Sequence, residues 1–327
     1  MQCNMKTRTD HLIPQAAALY PFDAGTLHLI HSKASSPNDI YAFSKGHKAY
    51  ILRISTHDRD HTPQTIGEME WLAFLCKRKV PVSMPLPMED GRLVALLTSG
   101  GHYHDVCAFE KAQGTHCDKG DPNRWNTDIM EDWGYTIGRM HRETKDFTLT
   151  DERYRRGVFD GSEGLHESLS DVPAILEFAQ GLVSRLVSMP RTKDTFGLIH
   201  NDFHQNNFFV NQNKVHVFDF DDSLYGYFAL DIGIALHHAV RWGVSDLHVY
   251  ERQAEGEKIV SHFMKGYKKA NTLDDLSLRS IAQFMRYRQL CDFGWEYSPD
   301  HPMLEEQQNL LSGHTAHGCY IGEGMFV

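Results

Sequence analysis

The sequence predicts an α+β molecule of two lobes, a small β-rich N-terminal lobe and a larger, mostly helical C-terminal one. Three observations carry that prediction. The first hundred residues break into short runs of branched and aromatic residues bounded by turn formers. From Leu230 onward every periodic segment repeats at helical spacing. Between these, a single hairpin pattern, FFVNQN followed by KVHVFDF, interrupts the helical half. A chain of 327 residues has ample length for a core in one or two domains, and 41% hydrophobic with 23% charged residues is ordinary for a globular protein.

LHLIHSK (27–33), NDIYAF (38–43) and AYILRIS (49–55) read as strands, with SKGHK turning the second into the third. QTIGEMEWLAFLCKRK (64–79) reads as a helix with Ile66, Met69, Leu72 and Ala73 on one face. Lys77, Arg78 and Lys79 complement its C-terminal dipole, and the prolines of VPVSMPLP stop it. RLVALLTS and HDVCAFEKA supply two more strands around Gly100 and Gly101. After Gly114 the pattern turns helical. DIMEDWGYTIGRMHRET sets Ile129, Trp133, Ile137 and Met140 at helical spacing, and DVPAILEFAQGLVSRLVSM follows from an Asp171 N-cap. ALDIGIALHHAV, YERQAEGEKIVSHFMKGYKK and LSLRSIAQFMRYRQL complete the C-terminal part. The expected boundaries are 1–105 for the N-lobe, 106–110 for a hinge and 111–327 for the C-lobe.

Composition narrows the function. A formal net charge of −10 leaves no basic surplus for phosphate backbones, which argues against a general nucleic-acid binder and is compatible with a cationic ligand. Cys3, Cys76, Cys107, Cys117, Cys291 and Cys319 form no C-x-x-C pair, a scatter that suits free thiols in a reducing cytosol. The first residues hold no apolar signal region, and no stretch approaches membrane-spanning length. A soluble, cytoplasmic protein is therefore expected. The 21 histidines are dispersed, and His102, His104, His237 and His238 have no carboxylate or thiol at ligand spacing.

The chemistry concentrates around the hairpin. On its N-terminal side stands HNDFHQNN (200–207), with Asp202 five positions ahead of Asn207; on its C-terminal side stand Asp219 and Asp221 in DFD. A hairpin brings its two ends together, so Asp202, Asn207 and Asp219 should converge. Unpaired carboxylates are costly in a core. They suit a hard divalent cation such as Mg²⁺, which takes one or two carboxylates and an amide carbonyl and completes its shell with phosphates and water. Kinase phosphoryl transfer divides its labour in this way: a loop aspartate accepts the hydroxyl proton, an asparagine further along the loop helps hold metal, and an aspartate opening D-F-x holds the Mg²⁺ on ATP.

These blocks resemble the aminoglycoside phosphotransferase family, which includes choline, ethanolamine, fructosamine and homoserine kinases and shares the protein-kinase-like bilobal fold. LIHNDFHQNNFFV resembles the family's H-G-D-h-H-x-x-N block, and VFDFDDSLYGYFALDIG its I-D-F-D-x-x-x-x-G-x-x-x-x-D-h-A block. YILRIS, GEMEWLAFL followed by VPVSMP, and WGYTIGRMH match in order from about residue 25 to 240. The resemblance implies an ATP- and Mg²⁺-dependent kinase that phosphorylates a hydroxyl of a small molecule. The N-lobe would then cover the nucleotide, and the C-lobe would carry the catalytic loop and acceptor pocket. Asp202 would orient and deprotonate the acceptor hydroxyl, Asn207 and Asp219 would hold Mg²⁺, and Asp221 would add a metal contact or bind water. His200 and His204 would brace the loop, and Asp231 the C-lobe. Arg53 stands where kinases usually carry a phosphate-gripping lysine, with Glu68 as its ion-pair partner and Glu70 second in line. Arginine keeps the charge but its planar fork is not equivalent to an ammonium. The phosphate-covering loop, SKASSPND, lacks glycine, leaving Ser35, Ser36 and backbone amides to cap phosphate oxygens. In the hinge, Cys107 and Phe109 would offer backbone groups to adenine.

Rival readings stay open on the residues alone. Asp219, Asp221 and Ser223 resemble the D-x-D-x-T motif of haloacid-dehalogenase-type phosphatases, whose βαβ units the helical C-terminal part does not provide. A protein kinase shares the chemistry, but no activation segment separates Asp219 from Asp231. A non-catalytic nucleotide-binding relative is kept open by Arg53 and the glycine-free loop. Acceptor contacts are expected from HHAVRWG (237–243) and FMRYRQLCDFGWEY (284–297). There Trp295, Asp292 and Glu296 favour a cationic amine, while Arg286 and Arg288 favour an anion.

Overall fold

The computed structural model describes residues 9–20, 22, 24–32 and 36–327. The chain divides into two compact units, Met1–Ala112 with Phe147–Arg156 and Gln113–Asp146 with Gly157–Val327.

The first unit opens with α1 (Ile13–Leu19) and β1 (His28–Ser32), continues through β2 (Asn38–Lys45) and β3 (Lys48–His57) to α2 (Thr62–Lys77), and ends with β4 (Ala95–Ser99) and β5 (His102–Glu110). The strands form one antiparallel sheet in the order β1-β2-β3-β5-β4. Side chains alternate across it. Leu52, Ile54, Val106 and Ala108 enter an apolar core with Tyr41, Phe43 and Leu12. Arg53, Asp105, Cys107 and Phe109 fall on the opposite face, which α2 covers, because the ladder sets Arg53 opposite Cys107 and Ser55 opposite Asp105.

Helix α2 buries Thr65, Glu68, Met69, Trp71, Leu72 and Leu75, leaves Ile66 half-buried and exposes Ala73. The expected face was thus rotated. A buried Glu68 that pairs with Arg53 lies on the core side, and an apolar pattern takes no account of such a residue. Residues 106–110 are the second half of β5 rather than a separate connector. Glu110 N–H donates to the Met84 carbonyl at 2.8 Å and Leu86 N–H to that of Ala108 at 2.8 Å, while β3 pairs along the other edge. The segment 147–156 also joins this unit. Thr150 donates to Glu70 through its N–H at 3.0 Å and through its hydroxyl, and the Phe147 ring lies 5.3 Å from that of Phe74. Glu70 is therefore spent on that segment.

In the second unit α3 (Thr127–Thr144) starts at an Asn126 cap, whose side chain accepts from the N–H groups of Asp128 and Ile129 at 2.9 and 3.0 Å. Its stripe of Ile129, Trp133, Ile137 and Met140 is buried as its spacing predicts. Helix α4 (Pro173–Val187) begins with a proline in its first turn after Val172. Asp171 instead closes the preceding 3₁₀ turn and is not the cap. Two small antiparallel pairs follow: β6 (Phe196–Ile199) with β9 (Leu224–Tyr227), and the hairpin β7 (Phe208–Asn211) with β8 (Lys214–Val217). Gln212 and Asn213 at the hairpin tip have φ of 51° and 59°, the two left-handed residues that a tight hairpin requires. The remaining elements are α5 (Phe228–Val244), α6 (Val249–Ala270), α7 (Asp275–Glu296) and α8 (Leu304–Ser312). Helices thus occupy the positions where a dehalogenase-type domain would need βαβ units. Among the described residues no helix is long and apolar enough to cross a membrane.

Candidate active site

The loop between β6 and β7 is held from beneath by one carboxylate. Asp231, fully buried in the first turn of α5, accepts from Asn201 N–H at 2.8 Å and His200 N–H at 3.2 Å, and bonds His141 Nε2 at 2.9 Å. His200 is also fully buried. Its Nδ1 accepts from Asp202 N–H at 3.3 Å, so Nε2 carries the proton donated to the Phe218 carbonyl at 3.1 Å. Both nitrogens are thereby assigned in a neutral ring, and burial pushes the His200 pKa down. One imidazole thus ties this loop to the end of the hairpin.

Asp202 itself is gripped from several sides. Asn207 Nδ2 donates to its backbone carbonyl and to its Oδ2, both at 2.9 Å. His204 Nδ1 accepts from Asn206 N–H at 3.1 Å, which leaves Nε2–H directed at Asp202 Oδ2, 3.2 Å away. Arg288 Nη2, from α7, lies 3.5 Å from Oδ1. Burial pushes the Asp202 pKa up, but the hydrogen bond from His204 and the nearby charge of Arg288 outweigh it and hold the carboxyl below its ordinary value. The group is a carboxylate at neutral pH.

The hairpin register places Phe208 opposite Val217, and Phe218 N–H reaches the Asn207 carbonyl at 3.0 Å, so Asn207 and Asp219 close one end of the hairpin together. Asn207 turns its amide nitrogen to Asp202, and among the described residues none donates to its Oδ1. Asp219 holds φ at 69°, a left-handed backbone that aspartate tolerates better than most residues and that recurs at functional sites. Phe220 is buried with its ring 4.4 Å from that of His200, Asp221 is half-buried and Asp222 is exposed. The packed surroundings, then the Asp221 and Asp202 carboxylates, push Asp222 up to about 7. An amide oxygen beside carboxylates is the hard donor set that Mg²⁺ prefers.

Helix α7 adds a charged cluster that the spacing of single motifs did not reveal. Asp292 accepts from His237 Nε2 at 3.0 Å and Arg241 Nη1 at 2.9 Å, and its other oxygen lies 3.2 Å from Arg288 Nε. Arg288 Nε also lies 3.1 Å from His238 Nε2, and Arg241 reaches Glu296 at 3.1 Å. Both arginines are thus occupied by acids of the chain itself. Arg286 points elsewhere, donating to the Leu310 carbonyl at 2.8 Å.

In the first unit, Arg53 and Glu68 form a two-pronged ion pair, Nη1 to Oε1 at 2.9 Å and Nη2 to Oε2 at 2.7 Å, with 4% and 1% of the side chains exposed. This is a buried clamp and not a surface pair. The Arg53 guanidinium lies 5.4 Å from the centre of the Phe109 ring, and Cys107 is fully buried opposite it in the ladder. Ser36 is half-buried, and its hydroxyl accepts from Asn38 N–H at 3.1 Å; Ser35 lies outside the described residues.

Comparison with known proteins accords with this geometry. The model of the phosphotransferase enzyme family matches residues 29–267. The amicoumacin kinase of Bacillus subtilis (strain 168) is 31% identical over 310 residues, covering 93% of this chain and 90% of that protein. A solved amicoumacin kinase in complex with AMP-PNP, Ca²⁺ and Ami superposes with a TM-score of 0.80 at 27% identity, over 94% of this chain and 92% of that one. A spectinomycin phosphotransferase solved with ADP and its antibiotic shares the fold, with a TM-score of 0.57 at 12% identity over 96% and 97% of the two chains. The chain belongs to the phosphotransferase enzyme family, as a small-molecule kinase that uses ATP.

Proposed function

We propose that the protein transfers the γ-phosphate of ATP to a hydroxyl of a small molecule that also carries a cationic amine, an amicoumacin-like antibiotic or a related amino compound. The observation that carries the reading is Asp202, ionised and fixed by Asn207 and His204 on a loop that offers a second, undonated oxygen from Asn207. A carboxylate so held orients an acceptor hydroxyl and takes its proton as the bond to phosphorus forms. Asn207 and Asp219 would hold Mg²⁺, with Asp221 adding a contact directly or through water; the ion neutralises phosphate charge when bound. Arg53, kept rigid by Glu68, would meet phosphate oxygens as a fork, and Ser36 with Ser35 would cap them. Cys107 and Phe109 would offer backbone groups to adenine.

The cationic acceptor is supported by the state of the arginines: Arg241 and Arg288 are already matched by Asp292 and Glu296, which removes the case for an anionic acceptor. The similarity to amicoumacin kinases supports an antibiotic-like small molecule as acceptor. The chain's thiol scatter continues to favour a cytoplasmic enzyme. The test is an acceptor panel with each amine free or acetylated. Phosphorylation of the free amines, with kcat/KM falling about tenfold or more on acetylation, supports the reading, since a desolvated ion pair is worth at least that much. Equal use of both forms would sink the cationic acceptor.

A further inference from the structure

Folding assembles histidines that the sequence keeps apart. His57 ends β3, His61 sits just before the first turn of α2, and Asp105 lies on β5 two ladder pairs along from Arg53. The His57 and His61 rings stack with centres 4.6 Å apart, and His57 Nε2 lies 3.8 Å from Asp105 Oδ2. One ligand atom from each of the three residues falls within 4.8 Å of the other two. Asp105 is fully buried, yet its hydrogen-bond donors are two neutral hydroxyls, Thr62 Oγ1 to Oδ1 and Thr65 Oγ1 to Oδ2, each at 2.6 Å. A carboxylate taken wholly out of water calls for a cation nearby. The two hydroxyls leave each oxygen a lone pair and fix the carboxylate's orientation, as outer partners of metal ligands do. Beside the cluster opens a cavity of about 760 Å³ that also receives His11, His102 and His104.

We propose that His57, His61 and Asp105 bind a divalent transition metal, zinc foremost, with its remaining position open to this cavity. Two imidazoles and one carboxylate match the three-ligand pattern of zinc sites that keep an open position, whereas Mg²⁺ and Ca²⁺ require oxygen donors. The site has a mechanical consequence. Glu68 stands two turns beyond His61 on α2, and Arg53 four residues before His57 on β3, so both sets of residues share the same seam between helix and sheet. A bound metal staples the start of α2 to β3 and β5 and thereby fixes the register in which Glu68 meets Arg53.

The test is titration of untagged, chelator-treated protein with Co²⁺, read by visible absorption, with Zn²⁺ as competitor. It is run on the native chain and on His61→Ala, His57→Ala, Thr65→Val and Asp219→Asn. The expected result is one equivalent bound by the native chain and by Asp219→Asn, displaced by Zn²⁺. Binding is expected to be lost in both histidine variants and weakened about tenfold in Thr65→Val, which removes only an outer hydrogen bond. Absence of a Co²⁺ spectrum, its survival in His61→Ala, or its loss in Asp219→Asn would overturn the assignment. The first would leave a histidine–carboxylate pair only, and the last would place the metal among the acids of the second unit. His57 and His61 are only half-buried, so their replacement leaves a folded protein to measure.

Discussion

Asp202 is held below the ordinary carboxylate value although burial alone would raise it, because His204 donates to Oδ2 and Arg288 faces Oδ1. A depressed folded-state value keeps the base ionised as the medium is acidified. Activity should therefore stay level as pH falls to about 4, the ordinary aspartate value, and decline only below it. In a profile of kcat against pH, His204→Ala should move that acid limb upward. Arg53 and Glu68 are buried with both prongs engaged, so Glu68→Gln leaves a buried guanidinium underpaired and should cost about 3 kcal/mol of stability by denaturant titration.

At the scale of elements, α3 and α6 pack closely enough that two glycines carry the contact. A Cβ at Gly134 would collide with the Phe263 carbonyl, and one at Gly266 with that of Glu131. Gly134→Ala should cost about 1–3 kcal/mol in unfolding experiments through overpacking, where alanine in an open helix would have stabilised. The same scale shows what the sequence made legible. The hairpin and its flanking Asp202, Asn207 and Asp219 were readable because local spacing decides which residues a two-stranded turn brings together. The α3 stripe was readable because every member is apolar. Helix α2 was misread by a partial turn because its core face carries Glu68, whose partner Arg53 comes from a strand. The Asp292 cluster and the His57–His61–Asp105 cluster were invisible as sites. Each joins residues from separate elements, and no spacing along the chain encodes that.

For the whole molecule, a formal charge of −10 gives a field that attracts positive solutes. With a cationic acceptor, kcat/KM should fall as salt rises from low to physiological ionic strength, while a neutral analogue should show little change. The account's central claim is that Asp202 drives phosphate transfer from ATP to such an acceptor. The most direct measurement is ADP release with Mg²⁺ and an amine-bearing alcohol, for the native chain beside Asp202→Asn. The account predicts acceptor-stimulated release that falls about 10²–10⁴-fold in the variant, with its melting curve and Mg·ATP binding retained. Stimulation of equal size in the variant, or none in the native chain despite bound Mg·ATP, would contradict it.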